Sequence, residues 1–326
     1  MNNSLLIVLA LIFALLLTSC SGSSIGSNHV NSVCESSQIN LSSEDQDPSS
    51  EDSSFEEKSS VEELTSDSEQ PPFSGVDYLT CISVTDNEKH SMILRSIIPS
   101  PQSIDIVFEL YNKTQETLVF TVPALYINGC DADSKLSVMV PGGKKALRTI
   151  SVRPEILVRG SVDSIDELII PLSFYVLAGF DVETTYKTYK VYPTGKTPGS
   201  IKPVLRQPQP EDVVLVDNER CNFVIYEKAI TDAGDLVLKC YIRNKTKEAF
   251  AIDWDNVFVN DYMCDPYFYI ELSGGTYSYT EIRFDGKNLF YIGSAPYEIE
   301  ALIRCYDAAA WNYPDYFCQD ISLAIE

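Results

Sequence analysis

The side chains with the clearest chemical potential are carboxylates that gather near turns. Four of them fall close together in the second half of the chain: Asp253, Asp255, Asp261 and Asp265. In the first half, Asp131 and Asp133 lie at a corresponding corner. Alternate Asp residues at a turn can ligate Ca²⁺, which accepts about six to eight oxygens, but the EF-hand spacing and its glycine are missing. We therefore expect solvated acidic loops, and the sequence predicts no metal and no other cofactor.

A catalytic Ser or Cys would need a base, and the sequence offers two His residues, His29 and His90. His90 follows Lys89 in a polar stretch, where we expect it to face solvent. No G-x-S-x-G, P-loop or G-x-G-x-x-G motif occurs. The sequence therefore predicts a protein that is not an enzyme. The alternative is a hydrolase of envelope polysaccharide, which would use two carboxylates about 5–10 Å apart.

Cys20 stands where a thiol could be modified by lipid. An apolar run from Leu5 to Leu17 is right for a signal-peptide core and shorter than the roughly 20 residues of a membrane span. The run ends in Leu17-Thr18-Ser19-Cys20, which resembles the lipobox of bacterial lipoproteins. The resemblance implies that residues 1–20 act as a lipoprotein signal, with cleavage before Cys20. A diacylglycerol on Cys20, with a further acyl chain such as palmitate, would then anchor the chain to the extracellular face of the cytoplasmic membrane.

Residues 21–75 have the composition of a disordered tether. They contain 18 Ser, twelve acidic residues and one Lys, and they show no strand or helix period. So few apolar groups cannot offset the entropy of ordering, and like charges extend the chain. The whole protein of 326 residues has a net charge of −23. Nucleic acid is therefore excluded as an expected partner, because phosphate binding needs clustered Lys and Arg.

The rest of the sequence is a duplication. Residues 108–128 and 240–260 match at an offset of 132, with Asn112-Lys113-Thr114 falling on Asn244-Lys245-Thr246. The Gly142-Gly143 pair falls on Gly274-Gly275 at the same offset. Upstream, Cys81 is matched to Cys221, which implies about eight extra residues in the first copy. Downstream, after a short shift, Ile165 and Leu168 are matched to Ile299 and Leu302.

The duplication predicts two domains of one kind. We place domain 1 at residues 76–195, a Pro-rich linker at 196–212, and domain 2 at 213–326. Each copy shows short apolar or β-branched runs ended by turns, such as residues 105–110 and 236–242. Asn-Lys-Thr fits a turn better than a glycosylation site. The predicted fold class is all-β, with two tandem immunoglobulin-like β-sandwiches.

These motifs resemble a family. The order of strand, Asn-Lys-Thr, strand, Ile127-Asn128-Gly129, strand and Gly143-Lys144-Lys145 is similar to immunoglobulin-like domains of unknown function in lipoproteins of Gram-positive, largely Firmicutes, bacteria. The second copy departs from that pattern at Asp261 and at Thr276-Tyr277. The resemblance implies a surface lipoprotein and supplies no catalytic residues.

Aromatic side chains are the candidate binding residues, and the second copy is rich in them. Alternation predicts that Tyr267 and Tyr269 share one strand face and that Tyr277 and Tyr279 share another. If those faces point outward, they could bind a protein or a sugar, although cross-strand packing explains the same pattern. The segment 310–316, with Trp311, Tyr313 and Tyr316, is the better candidate. The partners we expect are thus the membrane, through Cys20, and an extracellular protein or glycan; a role as a surface spacer remains open.

Overall fold

The computed structural model describes residues 73–177, 185–308 and 315–325. These residues form an all-β fold with two short helices, which confirms the predicted fold class. The signal segment with Cys20, almost all of the predicted tether, and the loop with Trp311 and Tyr313 lie outside the described residues. In the part of the chain that the structure describes, no helix is long and apolar enough to span a membrane.

The first repeat contains ten strands and one helix. They are β1 (Ile82–Asp86), β2 (His90–Pro99), β3 (Ile104–Asn112), β4 (Leu118–Val122), β5 (Tyr126–Ile127), β6 (Cys130–Asp131), β7 (Leu136–Val140), β8 (Lys145–Val152), α1 (Pro154–Arg159), β9 (Leu168–Val176) and β10 (Thr185–Val191).

The second repeat follows the same plan, except that one long strand replaces β4 and β5. Its elements are β11 (Val213–Asp217), β12 (Cys221–Ile230), β13 (Leu236–Asn244), β14 (Phe250–Val259), β15 (Tyr262–Met263), β16 (Tyr269–Leu272), β17 (Tyr277–Phe284), α2 (Gly286–Ile292), β18 (Glu298–Asp307) and β19 (Phe317–Ala324).

Alternation of side chains explains why these segments form strands around a core. In β3 the fully buried apolar residues are Ile104, Ile106, Phe108 and Leu110. Because successive strand residues point to opposite faces, this spacing gives the strand one apolar face. Each repeat builds its own core in this way, since its buried apolar residues form a separate cluster.

Strand order is the same in both repeats. One sheet runs β1-β2-β3-β8 in the first repeat and β11-β12-β13-β17 in the second. The facing sheet runs β7-β4-β9-β10 in the first and β16-β14-β18-β19 in the second. The short strands β4 and β5 both pair with β9, as the two halves of β14 pair with β18. Each repeat is therefore a two-sheet sandwich.

Strand register corrects two of the predicted matches between the repeats. His90 pairs with Asn112, and Cys221 pairs with Asn244, so His90 and not Cys81 occupies the position of Cys221. The first repeat consequently has no eight-residue insertion. Identity of two cysteines suggests a match in the sequence, but it does not determine register. Register is set by backbone pairing and burial.

The second correction concerns β9 and β18. Leu168 pairs with Ile127, and Ile299 pairs with Val259, so Leu168 matches Ile299. The predicted match of Leu168 with Leu302, and with it that of Ile165 with Ile299, is wrong. Apolar residues are frequent enough in strands for an alignment to slide by three positions without an obvious penalty.

The Asn-Lys-Thr turns are held by a buried amide. Asn112 Nδ2 donates to the backbone oxygens of Glu116 at 2.6 Å and Val140 at 2.8 Å. Its Oδ1 accepts from the backbone N and from Oγ1 of Thr114, at 2.9 Å and 2.8 Å. Asn244 makes the same four bonds in the second repeat. Both amides are fully buried, so the pattern has a structural role.

The Gly-Gly pairs close against these turns. A Cβ atom at Gly142 would lie 2.2 Å from the backbone oxygen of Gln115, and one at Gly274 would lie 2.1 Å from that of Lys247. The second glycine of each pair has a positive φ. Only glycine satisfies both demands, which explains why the pair recurs at the offset of the duplication.

Two sheets of different repeats join into one. Strand β17 pairs in parallel with β6 at Tyr277 and Cys130, and the backbone N of Tyr277 donates to the oxygen of Gly129 at 2.9 Å. The result is a ten-stranded sheet that contains strands from both repeats. Backbone hydrogen bonding between β17 and β6 thus links the two sandwiches.

At this junction, one tyrosine of each repeat is buried in the core of the other repeat. Tyr277 is fully buried among residues of the first core, and its Oη donates to the oxygen of Gly160 at 3.2 Å. Tyr126 is buried in the second core, where its Oη donates to the oxygen of Glu271 and accepts from the backbone N of Ser273, both at 3.1 Å. Each repeat therefore contributes an aromatic ring to the core of the other.

The segment predicted as a linker packs against the sandwiches. Leu205 is partly buried against the first core, and Arg206 forms an ion pair with Asp212, whose side chain is almost fully covered. At the other boundary, Phe73 is buried in the first core. The predicted tether, placed at 21–75, therefore extends too far at its end, because one aromatic ring after the acidic run suffices to hold the chain.

We expect Asn244→Ala to lower the free energy of unfolding by about 2–4 kcal/mol, because it leaves two buried carbonyl oxygens without a donor. Asn112→Ala should cost a similar amount. Urea unfolding followed by circular dichroism measures both. Thr246→Ser, which keeps the hydroxyl, serves as the matched control, and a loss below about 0.5 kcal/mol in Asn244→Ala would contradict the role given to the amide.

Candidate functional site

The face that carries Tyr277 and Tyr279 is not an outward binding surface. Both residues lie on β17 with the same orientation, as predicted, but Tyr277 is fully buried and Tyr279 packs partly against the first core. Their rings stand edge to face at 6.2 Å, and Tyr241 lies 5.7 Å from Tyr277. The first repeat covers this face, so the expectation that it could bind a ligand is wrong.

Tyr267 and Tyr269 do not share a strand face. Strand β16 begins at Tyr269, and Tyr267 precedes it with a φ of +47°, outside the extended region. Tyr267 is 83% exposed and Tyr269 is 49% exposed. Of the two, Tyr269 stands on a sheet and has neighbours with which to form a site.

Tyr316 lies just before β19 and is partly buried against the second core. The guanidinium of Arg220 lies 4.2 Å from the centre of its ring, which is a close cation–π contact. Trp311 and Tyr313 lie outside the described residues, so the aromatic segment 310–316 remains a predicted binding site.

The best-formed cluster of polar and aromatic side chains lies on the outer face of β16, β14 and β18. Because Ile252 and Trp254 point into the second core, Asp253 must point outward. Register places Asp253 beside Tyr269 on one side and Arg304 on the other. We call the whole cluster the outer patch; its members are Asp253, Tyr269, Glu271, Arg304, Tyr306 and Asp315.

Asp253 is the half-buried carboxylate at the centre of the outer patch. Its Oδ2 accepts a hydrogen bond of 2.9 Å from the Oη of Tyr306, and its Oδ1 is buried with no hydrogen-bond partner among the described residues. Burial raises the pKa of Asp253 above its usual range, and the hydrogen bond from Tyr306 only partly opposes this. The unpartnered oxygen is enclosed by the protein, so it adds to the cost of keeping Asp253 charged.

Arg304 organises the other half of the outer patch. Its Nε and Nη2 donate to the two carboxylate oxygens of Asp315 at 3.2 Å and 3.1 Å. These bonds hold the pKa of Asp315 below its usual range. The guanidinium also lies 5.5 Å from the ring centre of Tyr306, and Nη1 is 4.0 Å from Oδ2 of Asp253. Arg304 is thus fixed in place by both carboxylates.

Tyr269 supplies the accessible aromatic ring of the outer patch. Its Oη donates to the carboxylate of Glu271, which fixes the position of the ring on the sheet. A half-exposed ring beside fixed donors and acceptors is suited to stacking on a ligand and orienting it. The segment 309–314 connects β18 to Asp315, so Trp311 is close in sequence to the same patch.

A groove lies elsewhere, on the first repeat. It measures about 610 Å³ and runs between residues 161–166 and 195–204. Asp166 lies in its wall and accepts from Lys196 at 2.7 Å, from Thr194 at 2.8 Å and from Ser164 at 2.8 Å. Burial pushes the pKa of Asp166 upward, but these three donors together hold it below its usual range. Asp166 therefore lacks the raised pKa of a general acid.

The prediction that the acidic cluster of the second repeat is exposed to solvent holds for three of its four residues. Asp255, Asp261 and Asp265 are exposed, whereas Asp253 belongs to the outer patch. Within the described ranges, no three His, Cys, Asp or Glu side chains come together in a way that could hold a metal ion.

The cysteines of the described residues are free thiols: Cys81, Cys130, Cys221, Cys240, Cys264, Cys305 and Cys318. Four of them are buried in the cores or at the junction. Burial raises the pKa of Cys130 to about 12, which is far from the range of a reactive thiolate.

No family model matches this sequence, and no curated protein matches it. Among solved structures, the chain is similar to red sea bream transglutaminase, with 10% identity and a TM-score of 0.20. The match covers 69% of this chain and 29% of the transglutaminase chain, so the chain spans less than a third of that protein. No conclusion about the site rests on so low a TM-score.

His90 does not face solvent, and that expectation is wrong. Its ring is fully buried, with its centre 4.0 Å from that of Phe174, and its Nε2 lies 3.2 Å from Nδ2 of Asn87. The polar residues before it form a tight turn, which the sequence pattern does not distinguish from an exposed loop. In the second repeat, register puts Cys221 and Cys305 in the places of His90 and Phe174.

Burial, followed by the charge of Lys113, lowers the pKa of His90 from 6.5 to about 4. The folded protein therefore binds the His90 proton less readily than the unfolded chain does. The free energy of unfolding should fall as the pH drops from about 6.5 to about 4, by up to about 1.4 kcal/mol per pH unit.

We expect His90→Cys, which installs the residue of the second repeat, to remove this contribution to the pH dependence. Urea unfolding of both proteins at pH 7, 6, 5 and 4 measures it. The mutation also changes packing, but that offset is the same at every pH. Equal slopes for the two proteins would show that His90 is not held neutral by the fold.

Proposed function

We propose that this protein is a membrane-anchored extracellular lipoprotein whose second repeat binds a glycan through the outer patch, without catalysing a reaction. The observation that carries the binding function is the combination of an exposed Tyr269 ring, a fixed Arg304 and the half-buried Asp253 carboxylate on one sheet face. The resemblance of Leu17-Thr18-Ser19-Cys20 to a lipobox supports the anchor.

The chemistry of the outer patch suits a sugar. A pyranose ring offers an apolar face that can stack on an aromatic ring, and hydroxyls that can both donate and accept hydrogen bonds. Arg304, whose side chain is 32% exposed, would donate to such a hydroxyl, and the half-buried carboxylate of Asp253 would accept from one.

The organisation before the repeats suits attachment to a membrane. Each buried CH₂ of a lipid contributes about 0.8 kcal/mol, so two acyl chains on Cys20 would hold the protein firmly. Residues 21–75 carry a net charge of −11, which keeps a tether extended.

Cys20→Ala should move the protein from the membrane fraction into the culture medium, because the thiol that receives the lipid is lost. Immunoblots of membrane and medium fractions measure this. Cys34→Ala, which changes a second cysteine in the tether, is the matched control and should stay with the membrane. A Cys20→Ala protein that still sediments with membranes would refute the anchor.

Tyr269→Ala and Trp311→Ala should each weaken retention on isolated cell-wall glycans by about fivefold to tenfold, as expected for loss of about 1–1.5 kcal/mol of aromatic contact. Their melting temperatures should be unchanged. Tyr291→Ala, which removes a ring outside the patch that is more exposed than Tyr269, is the control. Full retention of Tyr269→Ala would reject the outer patch as the binding site.

The second candidate function is hydrolysis of envelope polysaccharide. The observation that favours it is that Asp253 and Asp315 have pKa shifts of opposite sign, as an acid and a base would. The same glycans distinguish the two functions. Release of reducing ends by the native protein, lost in Asp253→Asn and Asp315→Asn, would replace the binding function with the hydrolase.

A further inference from the structure

The two repeats expose equivalent surfaces to different extents at one end. We define the first pole as the turn at Asn128 with β6 and the end of α1, and the second pole as the turn at Asn260 with β15 and the end of α2. The first pole is where the second repeat docks. The second pole is built in the same way, and no described residue of the chain docks on it as β17 docks on the first.

The first pole shows what this surface binds. Tyr277 of β17 lies against it: its backbone N donates to Gly129, its Oη donates to Gly160, and its ring covers the fully buried Cys130. A Cβ atom at Gly160 would lie 2.6 Å from Sγ of Cys130, so the helix end and β6 are in direct contact beneath the ring. The pole therefore accepts an edge strand with an aromatic side chain.

The second pole keeps the backbone of the first. Asn128 donates to the backbone oxygen of Ser164 at 2.7 Å and accepts from the backbone N of Glu167 at 2.9 Å. Asn260 likewise donates to the backbone oxygen of Ala295 at 2.9 Å and accepts from the backbone N of Tyr297 at 2.9 Å. Both Asn residues have a positive φ. The same Asn side chain thus fixes the backbone at both poles.

The side chains of the second pole are aromatic or apolar, and they are exposed. The exposed fractions are 56% for Tyr262, 72% for Met263, 82% for Phe290, 83% for Tyr291 and 56% for Tyr297. Tyr262 stands in the place of Cys130, and no atom lies within 4 Å of a Cβ built on Gly293, the counterpart of Gly160. Such a cluster is characteristic of a protein-binding surface.

We propose that the second pole binds an exposed edge strand of another β-sheet protein, one that carries a tyrosine or another large aromatic residue. The strand would pair with β15 as β17 pairs with β6, and its aromatic ring would lie beside Tyr262 and the end of α2. Addition of a strand gives affinity through backbone bonds, and the aromatic pocket gives specificity. This site is separate from the outer patch and does not depend on glycan binding.

A second copy of this chain is a poor occupant. The strand of the first repeat that corresponds to β17 is β8, and register places Lys145 where β17 has Tyr277 and Leu147 where it has Tyr279. Lys145 donates to Glu109 at 2.9 Å, and Arg95 pairs with the same carboxylate. Lysine on an edge strand opposes pairing with another strand, and docking would break this ion-pair network.

The test uses the full chain and a peptide that copies the strand already bound in the molecule. A fluorescent peptide with the sequence of residues 275–284 should bind saturably, because the chain's own β17 occupies the first pole and the second is open. A control peptide with Tyr277→Lys and Tyr279→Leu, the residues of β8, should bind at least tenfold more weakly. Fluorescence anisotropy measures both.

Chain variants locate the binding. Tyr262→Lys and Tyr291→Ser, both at exposed positions, should weaken binding of the native-sequence peptide at least tenfold, whereas Tyr269→Ala in the outer patch should not change it. Equal binding of the two peptides, no binding at millimolar concentration, or binding unaffected by the pole variants would overturn the proposal. Self-association of the chain that Lys145→Glu abolishes would assign the pole to a second copy and would also overturn it. None of these readouts depends on membrane fractionation or glycan retention.

Discussion

The burial of Tyr277 in the core of the other repeat is the contact on which the arrangement of the molecule depends. It combines a backbone hydrogen bond to Gly129, a side-chain bond to Gly160 and the removal of an aromatic ring from water. Burial of such a ring contributes about 2–3 kcal/mol, and the two bonds leave no buried polar group of the tyrosine unsatisfied. Tyr126 makes the reciprocal contact, so neither repeat can move without exposing a ring that belongs in the other.

The two repeats have the same backbone turns, but they differ in the side chains at the junction between them. Asn112 and Asn244 hold the same turn with the same four bonds, and Gly142 and Gly274 meet the same steric limit. At the junction the equivalents differ, since Lys145 stands where Tyr277 stands in the second repeat. A single interface therefore forms between two copies of one fold. If both copies had tyrosines on this strand, the chain would present a second docking strand to its own open pole.

The predictable features are those that a short stretch of sequence determines. Alternation in β3 and the Asn-Lys-Thr turn follow from local geometry, and the structure confirms them. Alternation also predicts that Tyr277 and Tyr279 share a face, but not that another repeat covers that face, because coverage depends on residues far away in sequence. His90 is similar: its ring packs on Phe174, which is far away in sequence, and the polar run around His90 does not reveal that contact.

Some features that the sequence analysis did not predict, such as the boundaries of α2, have a recognisable sequence pattern. Asp285 caps α2 through a hydrogen bond to the backbone N of Lys287, and Gly293 ends the helix with a positive φ, which is a standard pair of helix boundaries. The outer patch needed the register of three strands, because Asp253, Arg304 and Asp315 are brought together by pairing across β14, β18 and the start of β19. Sequence showed the carboxylates as a cluster along the chain, whereas the site selects one of them and adds an arginine from another strand.

The open surfaces are distributed unevenly between the repeats, and this has a physical origin. The two repeats contact each other through the first pole and through the sheet of the second repeat that contains β17. This contact leaves the second pole and the outer face of β14, β16 and β18 uncovered by the described residues. The outer patch lies on that outer face, so the junction that buries Tyr277 leaves Tyr269 exposed. In the first repeat, the sheet face that corresponds to that of Tyr277 carries instead the ion pairs of Glu109 with Arg95 and Lys145. The first repeat thus supports the second repeat, and both candidate binding surfaces, the outer patch and the second pole, lie on the second repeat.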